Sequence, residues 1–293
     1  MKSAPFAYYD PRTIGEVVGL LTSRENAQLL AGGQSLVPML NLRVVFPDHV
    51  IDLNRVAGLD RVELTGDELY VGAMAPQYVL EAHSDVKARA PILADALRQV
   101  GHFQTRSRGT FGGSLCHLDP AAELPGIAAL YDATLHVEGA NGRRDIPIAD
   151  WPKDLMTPNL AADEVLVGAS LFLWPSPHGY SFVEFARRQG DFAIAGVGVL
   201  LSLDSNDVIN RCAIIVVGMS AHPIRLAAAE HLLLGAAPTA DAFKAAAATV
   251  GTYEALSDLH GSASYRQHLA SVLTRRALEQ AAFRCRELRN DRA

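Results

Sequence analysis

Three features of this 293-residue chain predict an α+β fold in two domains. Near the N-terminus, two short apolar runs bracket a helical segment, and a Gly-Gly pair ends the first run. From about residue 59 the texture changes to strand–turn–strand pairs mixed with helices. Past Trp174-Pro175-Ser176-Pro177, where two prolines remove two backbone donors and stiffen the chain, a meander of strands is followed by helices. The domains expected are 1–176, in parts 1–57 and 58–176, and a smaller one over 178–293 with a three-stranded antiparallel sheet.

In order, residues 8–13 read as a lead-in to a helix, with Ile14, Val17, Val18 and Leu21 at helical spacing. Thr13 suits the N-cap, with Glu16 completing a capping box. Residues 28–31 read as a strand entering the first Gly-Gly loop, 37–41 as a helical turn and 49–53 as a second buried strand. A hairpin over 59–72 turns at Thr65-Gly66-Asp67-Glu68, and helices are expected over 77–83 and 92–100. Residues 101–113, rich in Gly, Ser and Arg, read as a loop before a helix over 123–131. Ala140-Asn141-Gly142 predicts a hairpin between strands 134–138 and 143–148, because Asn-Gly accepts positive φ. A strand over 164–173 closes this part. The meander comprises 180–187, 193–203 and 208–217, followed by helices over 223–234 (Pro223 near its first position), 240–256 and 264–288.

A net charge of −6 argues against nucleic acid, which calls for a basic stripe. No apolar run reaches membrane-spanning length, and the N-terminus has no signal-peptide pattern, so a cytoplasmic protein is expected. The three cysteines, Cys116, Cys212 and Cys285, are isolated, which rules out a disulfide framework or a Cys-x-x-Cys metal site. Gly-x-Ser-x-Gly, His-Glu-x-x-His and P-loop patterns are absent, so a hydrolase or NTPase has no support. Gly196-Val197-Gly198 lacks the third glycine of a dinucleotide fingerprint and lies within an apolar strand.

Two glycine pairs carry the chemistry. The first lies in Ala31-Gly32-Gly33-Gln34-Ser35-Leu36 and the second in Gly109-Thr110-Phe111-Gly112-Gly113-Ser114-Leu115. Gly-Gly permits positive φ and close approach of the backbone to a ligand, and successive N–H groups in such a turn bind anions. Ser35, Thr110 and Ser114 add hydroxyls, so two such loops facing one another could hold a pyrophosphate. A lone Gly-Gly is commonly an ordinary tight turn; the hydroxyl neighbours and the following Asp119-Pro120-Ala121-Ala122-Glu123 set these apart.

Taken together, these stretches resemble the FAD-binding medium subunit of the molybdenum hydroxylases, the carbon monoxide dehydrogenase and xanthine dehydrogenase family. The family pattern is Ala-Gly-Gly-(His/Gln)-Ser, then Thr-(Ile/Phe)-Gly-Gly-(Ser/Asn) leading into Asp-Pro-Ala-Ala-Glu, and the likeness runs from Phe6 to the C-terminal helix. The resemblance implies a two-part FAD-binding domain of the PCMH type. It implies FAD contacts from Ala31, Gly32, Gly33, Gln34, Ser35 and Leu36, and from Thr110, Phe111, Gly112, Gly113 and Ser114. It extends them to His117, Asp119, Glu123, Leu166 and Phe192, and assigns no catalytic residue and no metal ligand to this chain. His117 reads equally as a satisfied loop histidine, and Glu123 as a carboxylate favoured by a helix N-terminus. Phe192 reads equally as a core aromatic; a tyrosine is commoner there in the family. Covalent flavin attachment, which related folds achieve through His or Cys, is not expected: Gln34 stands where a histidine is common, although Cys116 and His117 remain formal candidates.

By the same resemblance, a large subunit oxidises the substrate at molybdenum-pterin and a small subunit relays electrons through [2Fe–2S] clusters. This chain's FAD then passes them to an external acceptor, within a dimer of heterotrimers. Two other readings stay open. A self-sufficient flavin oxidase or dehydrogenase would turn over a small substrate by itself, and a non-catalytic nucleotide-binding module would purify colourless.

Overall fold

The computed structural model describes residues 2–290. Strands β1 (Ala7–Tyr9), β2 (Ala27–Leu30) and β3 (His49–Asp52) form a parallel sheet in the order β1-β3-β2. Helices α1 (Ile14–Ser23) and α2 (Leu36–Asn41) make the crossings. β1 lies in the stretch expected to be a lead-in; three residues are too few to show a period. The Thr13 hydroxyl caps α1 by accepting from Glu16 N–H at 3.3 Å, and the Glu16 carboxylate returns to Arg12 N–H at 2.6 Å.

β4 (Val62–Thr65) and β5 (Glu68–Gly72) form the expected hairpin. Next come α3 (Gln77–Ala82), α4 (Ser84–Arg89), α5 (Pro91–Gln99), α6 (Phe103–Arg108), α7 (Phe111–His117) and α8 (Glu123–Leu130). β6 (Thr134–Gly139) and β7 (Gly142–Pro147) pair around the Asn-Gly turn, β8 (Pro152–Asp154) and β9 (Thr157–Pro158) form a small hairpin, and β10 (Val165–Phe172) completes the part. The sheet order is β4-β5-β10-β6-β7, all antiparallel, with one face on α3, α5, α7 and α8.

Residues 101–113 correct the sequence reading. They are not a loop but two short helices, α6 and the start of α7, with Gly112 and Gly113 in the first turn of α7. Glycine normally costs helix stability, which hid this helix. Tertiary contact overrides that preference: a Cβ on Gly112 would lie 2.5 Å from the Ala73 Cβ.

The C-terminal part has β11 (Gly179–Phe185), β12 (Ala195–Leu203), β13 (Ile209–Val217) and β14 (Ile224–Arg225), an antiparallel sheet of four strands rather than three. β14 pairs only Ile224 and Arg225 with β13, so Pro223 leads into a strand and α9 (Ala227–Leu233) begins later than expected. α10 (Ala240–Ala248) passes into a 3-10 turn at Thr249–Thr252, ending sooner than its alanine run suggested. α11 (Ala263–Asn290) lies along β11 and β12.

This sheet is covered on both faces. Val197, Val199, Leu201, Ile214 and Val216 pack under α9, α10 and α11. Leu200, Ala213, Ile215 and Val217 join the core of the preceding sheet through Leu124, Ile127 and Leu130 of α8. Double burial explains why β12 and β13 are apolar at nearly every position. Gly126 permits the close approach, since a Cβ there would lie 2.5 Å from Val217 Cγ1.

Candidate nucleotide-binding site

β2 and β3 are parallel neighbours, so the chain leaves both at the same sheet edge. In an open parallel sheet that edge, outside the carboxyl ends, is where ligands bind. Ala31–Leu36 follows β2, and Asp52 and Asn54 stand at the end of β3. Gly33 takes φ +74°, which turns the chain into α2. Gly32 is fixed by contact: a Cβ there would lie 2.0 Å from the carbonyl oxygen of Arg108. Val37 N–H donates to Gly33 O and Met39 N–H to Ser35 O. Among the described residues, the N–H groups from Gly32 to Leu36 find no acceptor, and the Ser35 hydroxyl has no partner. Five consecutive unpaired donors, the first three on residues that line a cleft, fit an anionic group such as a pyrophosphate.

That cleft measures about 430 Å³ and has Leu30, Val37 and Pro38 as an apolar wall. Asp52, Asn54 and Arg108 form the polar wall, and Gln34 lines its edge. Asp52 accepts from the Tyr8 hydroxyl at 2.6 Å and from the Asn54 N–H and side-chain amide at 2.9 and 2.6 Å. Burial would raise the Asp52 carboxyl, but these bonds and the Arg108 charge outweigh it and hold the pKa below the usual carboxylate value.

The second glycine pair behaves differently from the first. Phe111 N–H donates to Ala75 O, Gly112 N–H to Ala73 O, Gly113 N–H to the Thr110 hydroxyl and Ser114 N–H to Thr110 O. Its donors are therefore spent within the chain, and the pair serves close packing. A Cβ on Gly113 would lie 3.4 Å from the Ala31 Cβ, so α7 rests directly against the first loop. The two motifs meet, but only the first presents free N–H groups. Ser114 and His117 leave their side chains without a partner among the described residues.

Residues 4–171 match the family described as FAD binding domain in molybdopterin dehydrogenase, and 180–281 match the CO dehydrogenase flavoprotein C-terminal domain. The chain belongs to the FAD-binding medium subunits of the molybdenum hydroxylases. This medium subunit is 35% identical to the nicotine 6-hydroxylase medium subunit of Paenarthrobacter nicotinovorans, over 97% of this chain and 100% of that one. It is 34% identical to the carbon monoxide dehydrogenase medium chain of Hydrogenophaga pseudoflava, over 96% and 98%. The solved carbon monoxide dehydrogenase of that organism, in the form lacking the molybdopyranopterin moiety, superposes with a TM-score of 0.94 at 34% identity. It covers 97% of this chain and 100% of that one.

In the medium subunit, α7 leads away from the glycine loops toward the C-terminal sheet. Leu118 ends it in the left-handed region at φ +51°, and the Asp119 carboxylate then accepts from Ala121 N–H at 2.8 Å. Gly218 N–H donates to Pro120 O at 2.7 Å, which fastens this turn to the end of β13. Glu123, 8% exposed, opens α8. Burial first, then repulsion from Glu184 and Asp119, pushes its pKa up to about 8. Burial also raises Glu184 to about 7, and Glu184 Oε2 is buried without a hydrogen-bond partner.

Leu166 is buried in β10. The bulge beside it directs Val167 O to Ala73 N–H at 3.0 Å, behind the Gly112 contact. Phe192 is 71% exposed and stands apart from the core. Nearby, Gly190, at φ +86°, packs on the His102 ring at the start of α6. Burial pushes the Cys116 thiol up to about 12, which disfavours the thiolate. Among the described residues no cluster of His, Cys, Asp or Glu is placed to hold a metal, and no helix is long and apolar enough to cross a membrane.

Sequence reasoning missed Asp52, Asn54 and Arg108. An acid at the carboxyl end of the neighbouring strand was a usable signal for Asp52. Arg108 carries none, since its segment reads as a loop.

Proposed function

We propose that this chain binds one FAD non-covalently and uses it to carry electrons. They would arrive from [2Fe–2S] clusters on a small subunit, which take them from a large molybdenum-pterin subunit, and leave to an external acceptor. The observation that carries the reading is the run of unpaired N–H groups from Gly32 to Leu36, beginning on residues that line a cleft, in a chain of this family. FAD supplies the redox chemistry; the protein supplies binding, orientation and exclusion of water.

Each site residue has a task in this reading. Ala31, Gly32, Gly33, Gln34, Ser35 and Leu36 hold the pyrophosphate through backbone and hydroxyl donors. Gly112, Gly113 and Phe111 set α7 against that loop, with Thr110 as cap. Ser114 and His117 follow the ligand along α7 toward Asp119 and Glu123, which accept from its ribityl or ribose hydroxyls. α7 has seven residues, and at roughly 1.5 Å per residue it spans about 10 Å. Leu166 backs the site and Phe192 screens the ring. No side chain here acts as general acid or base on the organic substrate.

The complex is proposed as a dimer of heterotrimers in the cytoplasm, with this chain divided at 1–176 and 178–293. The matched spans 4–171 and 180–281 favour that division. Reconstitution with FAD followed by gel filtration tests the binding. One FAD per wild-type chain and none on Gly33→Val is expected, because a β-branched residue resists φ +74°. Stoichiometric FAD on Gly33→Val would remove the first loop from the pyrophosphate.

A further inference from the structure

We propose that Arg266 is a positioning residue for the flavin: it fixes the Phe192 segment against the Asp119–Glu123 turn through the backbone carbonyls of Ile194 and Gly218. The inference rests on the FAD reading above and names a residue that lies outside both glycine motifs.

Arg266 stands in the first turn of α11 and is 4% exposed. A cation there opposes the positive end of the helix dipole, and burying it is costly unless it is paired and hydrogen-bonded. The rest of the buried face of α11 is largely small or apolar, as at Ala270, Leu273, Ala277 and Leu278. Docking the helix therefore gives no reason for a guanidinium. The destination of its donors does.

Four of its five N–H donors are used, and Nε–H alone has no partner among the described residues. Nη1 donates to Ile194 O at 2.7 Å and to Gly218 O, and Nη2 donates to both oxygens of Asp258 at 2.8 and 2.7 Å. Asp258 is itself set by the backbone, since its Oδ1 accepts from His260 N–H and Gly261 N–H at 2.8 and 3.1 Å. The Arg266 bonds first, then those two, hold its pKa down to about 2, so the carboxylate stays charged. A planar fork gripped on one edge by a fixed carboxylate keeps its other edge aimed at the two carbonyls.

Those carbonyls belong to two segments that the FAD reading uses. Ile194 lies two residues beyond Phe192, and its N–H donates to Phe185 O at 2.8 Å, which closes the 185–194 segment. Gly218 follows β13, and its N–H donates to Pro120 O at 2.7 Å, one residue past Asp119. Gly218 takes φ +76°, and a Cβ there would lie 2.9 Å from Ala193 O, so the two segments are in direct contact. Arg187 Nη2 adds a second tie by donating to Leu259 O at 3.2 Å, beside Asp258. Phe192 is 71% exposed, so its backbone places it rather than packing. Arg266 holds that backbone.

The test uses the FAD-loaded full-length chain. It reads the visible circular dichroism of the bound flavin, its rate of reoxidation by oxygen after chemical reduction, and Tm. Arg266→Gln should keep one FAD per chain yet alter the dichroism and shift the reoxidation rate by roughly tenfold, the scale of a small misplacement. Phe192→Ala should move the same two readouts, and Arg266→Gln should add little in that background, as coupled sites do. Arg266→Lys, with three donors and no fork, should fall between wild type and Arg266→Gln. Asp258→Asn, at a side chain 44% exposed, should move both readouts in the same direction and carries the test should Arg266→Gln fail to fold. A lowered Tm with unchanged dichroism and reoxidation, loss of FAD from the folded variants, or equal shifts with and without Phe192 would overturn the inference. A wild-type chain that takes up no FAD would instead defeat the FAD reading, and this inference with it.

Discussion

At the scale of single residues, the two glycines of the first loop fail for different reasons. Gly32 has an ordinary φ but no room, since its Cβ would strike the Arg108 carbonyl. Gly32→Ala should therefore push α6 away from the loop, at a cost of about 1–3 kcal/mol, and weaken FAD retention. Thermal melts with and without FAD check this; a wild-type Tm with full FAD occupancy would contradict the contact. Glu123 gives a prediction with a definite sign. Its folded pKa is raised from 4.5 to about 8, so the folded state holds a proton that the unfolded state gives up. Its contribution is fully present below about pH 4.5 and is lost as pH rises toward 8. Glu123→Gln, neutral at every pH, should thus melt higher than wild type near pH 8 by on the order of 1–2 kcal/mol, with the gap closing near pH 5. A gap of constant size across that range would show that Glu123 is ionised in the fold.

At the scale of elements, α7 links the first glycine loop to the Asp119–Pro120 turn that is fastened to the end of β13. Thr110→Val removes its cap, leaves Gly113 N–H unpaired and should cost about 0.5–2 kcal/mol, read from denaturant midpoints. The hairpins at Gly66 and Asn141-Gly142, the capped α1 and the apolar β12 and β13 were legible in the sequence, because turn chemistry and burial are written locally. α7 was not, since its glycines belong to contacts with Ala73 and Ala31 that are remote in sequence, and α6, six residues with none buried, has no apolar period to show. β14 escaped because two residues have no period, and its pairing depends on β13. The site divides along the same line. The Gly32–Gly33 turn announces itself by composition, whereas Arg108 enters the cleft only because α6 folds against that turn. The free N–H groups expected at both glycine pairs exist at the first alone, a distinction that hydrogen-bond partners make and residue types do not.

At the scale of the whole molecule, the two parts share a core. Phe182, Leu200, Ile215 and Val217 pack with Leu124 and Ile127 across the Trp174–Pro177 junction. Arg284 of α11 donates to Asp95 of α5 at 3.2 Å and to Tyr180 O at 3.0 Å. Arg225 joins Glu230 to Asp132 and to Ala129 O, and Arg211 lies 4.0 Å from the Trp174 ring centroid. Calorimetry should therefore show one cooperative transition, and two resolved peaks would show that the parts fold separately. Anaerobic mixing of the FAD-loaded chain with candidate organic substrates, before and after the two partner subunits are added, separates an electron-transfer subunit from a self-sufficient oxidase. The flavin should stay oxidised with every substrate when this chain is alone, and should be reduced by the true substrate once the partners are present. Rapid bleaching of the flavin by an organic substrate without partners would contradict the account and make this chain an oxidase in its own right.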